Sequence, residues 1–392
     1  MRPGSRPAFS HVFDFDRPID RAGGGFHDSI KWNRYAGRDV IPLWVADMDF
    51  AAPPAVIAAL HRRVDHGVFG YGQPWPSLVA AVVEHLEREY LWQIEPEWIV
   101  WLPGLVTGLN VACRAVGGDG DAVFTATPIY PPFLAAPAAS GRKTVSAPLA
   151  CDDQGWTWDW AASDGVLRAA RARLLLLCHP HNPVGRAWRE DELWQVLALA
   201  EKHGLVVCSD EIHCDLILAP GRRHQPFATL APAAAQRSIT LMAPSKTFNV
   251  PGLGCAFAVI PHAGLRRDFG AAMHGIVPHV NTLGLVACEA ALREGAAWRA
   301  ALLAYLRGNA RSVEKFVARQ PALAMAPVEA TYLAWIDARG MGSANPQRHF
   351  EAAGVGLSDG ADFGAPGFVR LNFGCRRALL DAALARMETA LG

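Results

Sequence analysis

Three polar side chains each follow an apolar, strand-like stretch of the sequence: Asn182, Asp210 and Lys246. Because ligands bind beyond the carboxyl ends of strands in an open α/β sheet, we expect the amide, the carboxylate and the amine to meet there. Pyridoxal phosphate requires a lysine that forms a Schiff base and an acid that partners its pyridinium nitrogen. The spacing therefore predicts a pyridoxal phosphate site.

Each of these residues also has an ordinary structural explanation. Lys246 could be a solvated surface charge, Asp210 could cap the next segment, and Asn182 before a proline is typical of a turn. The catalytic interpretation requires burial, because burial lowers the pKa of a lysine and makes its neutral amine available. His213 follows Asp210 by three residues and is either a structural residue or a partner of the cofactor ring hydroxyl or of Asp210.

A phosphate group needs backbone N–H groups at a helix N-terminus together with hydroxyl groups. Gly104 ends a strand-like run and opens a helical one, so the amides of Leu105 and Val106 are candidates for phosphate binding. Ser245, next to the lysine, offers a hydroxyl group. Glycine turns before helices are common, and each of these signals is weak by itself.

Arg370 lies inside a strand-like run and is either a surface residue of that strand or a bidentate clamp for a substrate carboxylate. Tyr130 either stacks on a cofactor ring or packs in the core. Cys178, His179 and His181 lie close together in sequence, but their spacing matches no standard zinc pattern, so we expect no metal site.

The elements that must position these residues alternate along the chain. Strands are predicted at 97–102, 121–126, 142–147, 173–178, 205–209, 238–243 and 254–260, with helical segments between them and a helix at 189–203. This pattern predicts an α/β fold in which a mostly parallel, seven-stranded sheet lies between helices. After residue 280 the pattern changes to a long helix at 282–318 with a break near 293–297, strands near 331–336 and 367–373, and a last helix at 376–391, which predicts a smaller α+β domain. We divide the chain into an N-terminal segment (1–46) that packs with the small domain, a large cofactor-binding domain (47–280) and a small C-terminal domain (281–392).

Composition limits the class of protein. The 392 residues include 37 basic and 37 acidic side chains, so the formal net charge is zero, and no basic run indicates nucleic acid or an anionic membrane. No apolar stretch is long enough for a membrane span, and the first 18 residues do not resemble a signal peptide. The eight cysteines are scattered without a CxxC motif, which favours a reduced, cytoplasmic protein.

Taken together, the order Asn182, Asp210, Lys246 and Arg370, with separations of 28, 36 and 124 residues, resembles fold-type I pyridoxal phosphate enzymes, the aspartate aminotransferase superfamily. More narrowly, the chain is similar to the MalY/PatB group of cystathionine β-lyases, also called C–S β-lyases. The segments that carry this similarity are Ser29-Ile-Lys-Trp32, Pro42-Leu-Trp-Val-Ala-Asp-Met-Asp-Phe50, Val68-Phe-Gly-Tyr71, Thr127-Pro-Ile-Tyr-Pro-Pro-Phe133, Pro180-His-Asn-Pro-Val-Gly-Arg186, Asp210-Glu-Ile-His213, Ala243-Pro-Ser-Lys-Thr-Phe-Asn249 and Arg370-Leu-Asn-Phe-Gly-Cys375.

The resemblance implies a role for each matched residue. It implies that three residues are catalytic: the Schiff-base lysine Lys246, Asp210 at the pyridine nitrogen, and Tyr71. Further cofactor contacts are implied for Asn182 and His213 at the ring oxygen, Tyr130 on the ring face, and Leu105, Val106 and Ser245 at the phosphate. Substrate binding is implied for Arg370 and Asp47. Because Tyr71 reaches the phosphate of the neighbouring subunit in this group, the resemblance also implies a homodimer with shared active sites.

The reaction implied is α,β-elimination, in which a cysteine thioether gives a thiol, pyruvate and ammonia. An aminotransferase that uses a 2-oxo acid is the alternative, because the same residues serve both reactions, and a non-catalytic protein on the same fold is the third possibility. Many aminotransferases have a phosphate-binding arginine eight residues after the lysine, where this chain has Gly254, and this favours the lyase. The segment with Gly23-Gly-Gly25 is longer than usual near the expected substrate entrance, which leaves the substrate open.

Overall fold

The computed structural model describes residues 13–23, 28–152 and 155–392. Gly24 and Gly25 of the glycine turn, and residues 1–12 of the segment considered for a signal peptide, lie outside the described residues. The helices are α1 Ile30–Asn33, α2 Pro54–Asp65, α3 Pro76–Tyr90, α4 Leu105–Ala115, α5 Pro131–Ala139, α6 Trp160–Ala169, α7 Glu190–His203, α8 Pro232–Gln236, α9 Ala263–Met273, α10 Thr282–Glu294, α11 Ala296–Ala318, α12 Pro346–Ala352 and α13 Arg377–Ala390. The strands are β1 Ile41–Pro42, β2 Ile99–Leu102, β3 Ala122–Thr127, β4 Lys143–Asp152, β5 Gly155–Trp158, β6 Ala172–Cys178, β7 Val206–Asp210, β8 Ser238–Met242, β9 Ala256–Val259, β10 Leu333–Asp337, β11 Val355–Gly356, β12 Ser358–Asp359 and β13 Phe368–Asn372.

The largest sheet has the strand order β2-β9-β8-β7-β6-β3-β4-β5, which is eight strands within the described residues. The predicted α/β fold is confirmed and the seven predicted strands are present, but the predicted number is wrong by one. Strand β5 pairs antiparallel with the far end of β4, which runs to Asp152, five residues beyond the predicted end. A four-residue strand shows no alternating pattern of its own, so it is recognisable only through its pairing with β4.

The core of the sheet is parallel and buried on both faces. Strands β4, β3, β6, β7 and β8 pair in parallel, whereas β9, β2 and β5 pair antiparallel towards the two edges. All five residues of β8 are buried, and so are four of the five in β7. Parallel strands covered by helices on both faces read as continuous apolar runs, which is why these strands were predictable from the sequence.

The register of the three central strands aligns their carboxyl ends. Asp210, the last residue of β7, pairs with Cys178 at the end of β6 on one side and with Leu241 of β8 on the other. The residues that follow β6 and β8 therefore leave the sheet at the level of Asp210. This alignment brings the Asn182 and Lys246 segments to the Asp210 carboxylate.

Outside this sheet, β10, β13 and β12 form a second, antiparallel sheet next to α11, α12 and α13. Arg370 occupies the middle of the central strand β13, where it pairs with Trp335 and with Ser358. Near the N-terminus, β1 pairs in parallel with β11. These pairings fit the division into a large and a small domain with an attached N-terminal segment, whose boundaries stay a prediction.

The predicted break in the long helix lies at Gly295, between α10 and α11. A Cβ atom at this position would lie 2.4 Å from the carbonyl oxygen of Ala291 and 2.4 Å from the ring of Phe248. A glycine is therefore required for the two helices to pack against Phe248. No helix in the described part of the chain is long and apolar enough to cross a membrane.

A buried ion cluster ties the loop after β6 to the segment before β10. The Arg186 guanidinium lies 2.7 Å from Glu192 and 2.8 Å from Glu329, and Arg186 and Glu192 are both almost fully buried. A buried pair contributes little net stability when intact, but removing one partner leaves an uncompensated charge in the interior.

We expect Arg186→Met to lower the free energy of unfolding by about 3–5 kcal/mol, because it removes the buried cation that Glu192 and Glu329 share and leaves the buried Glu192 only the half-exposed Arg189, 3.5 Å away. Chemical denaturation measures the change. The matched control is Arg267→Met, whose exposed guanidinium pairs with Asp268, and it should change stability by less than about 0.5 kcal/mol. Equal effects of the two substitutions would contradict the structural importance of the cluster.

Candidate active site

A cavity of about 250 Å3 lies at the aligned carboxyl ends of β6, β7 and β8 and at the start of α4. Eight of the residues singled out from the sequence line it: Leu105, Val106, Tyr130, Asn182, Asp210, His213, Ser245 and Lys246. The structure thus brings together in one cavity side chains that lie up to 141 positions apart in the sequence, between Leu105 and Lys246.

Lys246 borders the cavity and is otherwise surrounded by protein. Its Nζ donates a hydrogen bond to the carbonyl oxygen of Ala46. Burial lowers the pKa of Lys246 from 10.5 to about 8; the negative charge of Asp47 opposes the shift and the charge of Arg370 adds to it. Because a pKa near 8 leaves a substantial neutral fraction at neutral pH, the Lys246 amine is suited to nucleophilic attack and to proton transfer.

Asp210 is 5% exposed, and its Oδ1 accepts a hydrogen bond from the backbone N–H of Ile212. Burial raises the pKa of Asp210 to about 7; the Ile212 N–H opposes this, Glu211 adds to it, and the Lys246 charge lowers the pKa. No cation forms an ion pair with Asp210 among the described residues. A buried carboxyl group without a cation fits a site whose ligand brings one, as the pyridinium nitrogen of pyridoxal phosphate does.

Asn182 links this cavity to Arg370. The Arg370 guanidinium donates hydrogen bonds to Asn182 Oδ1 (3.0 Å), to the Trp44 carbonyl oxygen (2.9 Å) and to Ser358 Oγ (3.3 Å). The guanidinium is buried and has no carboxylate partner in the described part of the chain, and burial lowers the pKa of Arg370 to about 10. Its Nε has no hydrogen-bond partner. A buried guanidinium whose hydrogen bonds go only to uncharged oxygen atoms is suited to binding a substrate carboxylate.

The phosphate candidates lie at the start of α4. Gly104 precedes the helix and no side chain caps it, so the first backbone N–H groups of α4 border the cavity without a capping oxygen. Ser245 and Gly254 line the same cavity. A helix N-terminus with free N–H groups is an anion site, so these residues fit the phosphate of the cofactor.

His213 and Tyr130 complete the walls of the cavity. Burial lowers the pKa of His213 to about 3, so its imidazole is neutral, and His213 Nδ1 has no hydrogen-bond partner. The imidazole contacts the ring of Tyr332 edge to face, with the ring centroids 6.0 Å apart. Tyr130 borders both this cavity and a larger one beside Arg370.

Three of the predicted residues are not on the wall of this cavity: Arg370, which lines the larger cavity beside it, Tyr71 and Asp47. Tyr71 is fully exposed, in a loop between α2 and α3, so it does not contribute to the site of its own chain. Asp47 is bound by two cations, with Arg21 2.9 Å away and the buried Lys31 3.6 Å away. Its role in substrate binding stays a prediction, while its charge already acts on Lys246.

Several residues of the site were not assigned a role from the sequence. The Ala46 carbonyl oxygen accepts hydrogen bonds from both Lys246 and Tyr332, and the Trp44 carbonyl oxygen accepts from Arg370 and Ser358. Trp44 and Ala46 lie in the Pro42–Phe50 segment that carried the family resemblance, but their contribution is a backbone oxygen, which no side-chain pattern reveals. The three residues whose spacing was compared with zinc sites form hydrogen bonds with the backbone. His179 and His181 bond through Nε2 to the carbonyl oxygens of Gln225 and Pro128, and the Cys178 sulfur accepts from the Asn182 N–H.

We expect the rate at which pyridoxal phosphate adds to the cofactor-free protein to rise with pH, with a midpoint near pH 8 and a plateau about one pH unit higher, because only the neutral Lys246 amine attacks. The yellow colour of the adduct, followed by stopped-flow absorbance, gives the rate. Asp47→Asn should move the midpoint to a lower pH, since the charge of Asp47 raises the pKa of Lys246. The exposed Asp65→Asn should not move it. A rate that still rises steeply at pH 10 would contradict a buried, low-pKa lysine.

Comparison with known proteins gives a consistent result. A family model described as aminotransferase class I and II matches residues 38–387. The cystathionine beta-lyase PatB of Bacillus subtilis (strain 168) is 37% identical over 96% of this chain and 100% of that protein.

Solved structures match the fold over nearly the whole chain. The crystal structure of OvoB has a TM-score of 0.93 and 50% identity, covering 97% of this chain and 99% of that one. The crystal structure of cystalysin from Treponema denticola, which contains a pyridoxal 5'-phosphate cofactor, has a TM-score of 0.91 and 32% identity, with coverage of 97% and 99%. The resemblance inferred from the sequence motifs is confirmed, and the chain belongs to the class I and II aminotransferase family.

Proposed function

We propose that this protein is a pyridoxal phosphate-dependent C–S β-lyase that cleaves a cysteine thioether to a thiol, pyruvate and ammonia. The observation that carries the proposal is the single cavity that holds both the low-pKa amine of Lys246 and the unpaired, buried carboxyl group of Asp210. The similarity to PatB, named as a cystathionine beta-lyase, over nearly the whole chain supports the choice of reaction.

The residues that would hold the cofactor are those of the cavity. Asp210 would partner its ring nitrogen, Asn182 and His213 its ring oxygen, and Tyr130 its ring face. The helix start at Leu105 and Val106, with Ser245, would hold the phosphate, and Lys246 would attach it. When bound, pyridoxal phosphate supplies an electron sink that stabilises negative charge at the substrate Cα.

The protein itself binds the substrate and moves the proton. Arg370 binds the α-carboxylate, and its hydrogen bond to Asn182 fixes the guanidinium relative to the cavity. Lys246 Nζ, in the neutral form that a pKa of about 8 makes accessible near neutral pH, removes the Cα proton. The Cβ–S bond then breaks, with its electron pair leaving on sulfur, which takes up a proton to give the thiol. The aminoacrylate that is released reacts with water to give pyruvate and ammonia.

Gly254 supports the lyase over an aminotransferase. It lies on the cavity wall beside the helix start, with a φ of +56°, and a Cβ atom there would lie 3.1 Å from the Pro103 carbonyl oxygen. A longer side chain at this position would be strained, so this chain does not supply the phosphate-binding arginine that many aminotransferases have there. The phosphate is left to the helix N-terminus and to hydroxyl groups.

We also propose a homodimer with shared active sites and a cytoplasmic location. Tyr71 is exposed together with the apolar side chains of Val64, Val68 and Phe69, and such a patch on a soluble protein is typical of an interaction surface. A second copy would cover this patch and receive Tyr71 at its phosphate site. The eight cysteines are free thiols, as expected in a reducing compartment.

We expect the purified enzyme to release thiol and pyruvate from cystathionine without any added 2-oxo acid. Asp210→Asn should lower kcat by at least about 100-fold, because the isosteric amide cannot hold the charge that the ring nitrogen needs, and Lys246→Ala should be inactive. The exposed Asp191→Asn serves as the matched control and should retain full activity. Coupled pyruvate detection measures the rates. A strict requirement for a 2-oxo acid would support the aminotransferase instead, and a wild type that turns over nothing would support the non-catalytic alternative.

The shared-site proposal predicts subunit complementation. Lys246→Ala and Tyr71→Ala should each be inactive or nearly so, whereas their mixture, after unfolding and joint refolding, should recover about a quarter of wild-type activity. Half of the dimers would be mixed, and each mixed dimer would have one site with both residues intact. No recovery on mixing, or a monomeric mass of 42.3 kDa by sedimentation, would refute the proposal that Tyr71 acts across a dimer.

A further inference from the structure

We propose that Arg34 is a specificity residue that binds a carboxylate at the far end of the substrate, beyond the sulfur atom. The inference rests on the proposed lyase function and deepens it by naming the chemistry of the leaving thiol. It comes from a second cavity whose wall carries a guanidinium that has no carboxylate within ion-pair distance in the described part of the chain.

This second cavity, of about 670 Å3, lies beside the first. Arg370 and Tyr130 line it, so it begins where the substrate carboxylate and the cofactor ring would be bound. A cysteine thioether with its α-carboxylate on Arg370 has to place its sulfur substituent in the remaining space. The rest of the wall of this cavity therefore contacts the part of the substrate that becomes the thiol.

The arginines on this wall differ in their partners. Arg38 forms an ion pair with Glu351 at 2.9 Å, and Arg370 is reserved for the α-carboxylate. Arg34 and Arg348 also line the cavity, and no carboxylate lies within ion-pair distance of either among residues 13–23, 28–152 and 155–392. Two cations that face a cavity, neither of them paired with a carboxylate, attract an anionic group of the substrate.

Arg34 is the better placed of the two, because an aromatic ring holds it. Its guanidinium stacks over the ring of Trp44, with the guanidinium carbon 4.6 Å from the ring centroid. The indole N–H of Trp44 donates to the Lys31 carbonyl oxygen, which fixes the ring. The Trp44 carbonyl oxygen accepts a hydrogen bond from Arg370, so a single tryptophan contacts the guanidinium groups of both Arg34 and Arg370. This arrangement orders the Arg34 head group before a substrate binds, which reduces the entropy lost on binding.

The same cavity has acidic residues, and they restrict the anion to the Arg34 side. Asp359 already accepts hydrogen bonds from Asn345 and from the Ala361 N–H, and Asp362 lies on the turn before Phe363. These carboxylates would repel an anion placed against the small domain. A substrate carboxylate is therefore directed to Arg34, on the N-terminal segment.

The test compares two thioethers of nearly equal size that differ in one charge: S-(2-carboxyethyl)-L-cysteine and S-propyl-L-cysteine. With wild-type holoenzyme we expect the charged substrate to have the higher kcat/KM. Arg34→Gln should lower kcat/KM for the charged substrate about tenfold, mainly by raising KM, and should leave the neutral one within about twofold. Arg34→Lys should recover part of the loss, and Arg311→Gln, an exposed arginine outside both cavities, should change neither substrate. Equal loss for both substrates, or no change, would overturn the inference.

A binding measurement separates this inference from the lyase proposal. L-2-Aminoadipate and L-norleucine have side chains of similar length and lack a sulfur leaving group, so calorimetric titration of the holoenzyme measures recognition alone. Tighter binding of aminoadipate that Arg34→Gln abolishes would support the inference even if neither thioether were cleaved, in which case the lyase proposal alone would fail. Equal affinities for the two amino acids in the wild type would overturn the Arg34 inference.

Discussion

The site depends on a buried carboxyl group at the end of one parallel strand and a partly buried amine just beyond the end of the next, with no ion pair between them. Burial acts on the two groups in opposite directions: it raises the pKa of Asp210 to about 7 and lowers that of Lys246 to about 8. Each group is thereby held near the point where it exchanges a proton at neutral pH. The sheet register maintains this state, because Asp210 is paired with Cys178 and Leu241 and cannot move towards the lysine without breaking the ladder.

The substrate side of the site comes from elsewhere in the fold. Arg370 lies on the small antiparallel sheet, and its hydrogen bonds reach Asn182 of the large domain and the Trp44 backbone of the N-terminal segment. Asn372, two residues further along the same strand, donates to the carbonyl oxygens of Val45 and Asp47. The N-terminal segment is thus held against β13 by hydrogen bonds, and its Ala46 carbonyl oxygen accepts a hydrogen bond from Lys246. Three parts of the chain therefore meet around Arg370 and Lys246.

Three arginines near the site differ in the role that each is suited to, and their surroundings account for the difference. Arg370 is buried and bound to neutral oxygens, which suits it to one α-carboxylate in a fixed position. Arg186 is equally buried, but its two carboxylate partners make it a structural residue. Arg34 is exposed to a wide cavity and ordered by Trp44, which suits the recognition of a group that differs between substrates. Burial and counter-charge, more than sequence position, distinguish the three.

The sequence by itself determined the fold class, seven strands of the central sheet and eight of the residues that line the cofactor cavity. It could do so because parallel strands buried on both faces are continuous apolar runs, and because reactive side chains follow them directly. Only the tertiary structure decided the edge strand β5 and the ion pairs of Asp47 with Arg21 and Lys31. It alone also showed the hydrogen bond between Arg370 and Asn182, which lie 188 positions apart, and the stacking of Arg34 on Trp44. The physical reason is that periodicity and turn signals report the neighbours of a residue along the chain, whereas counter-charges and ring contacts come from segments that packing brings together.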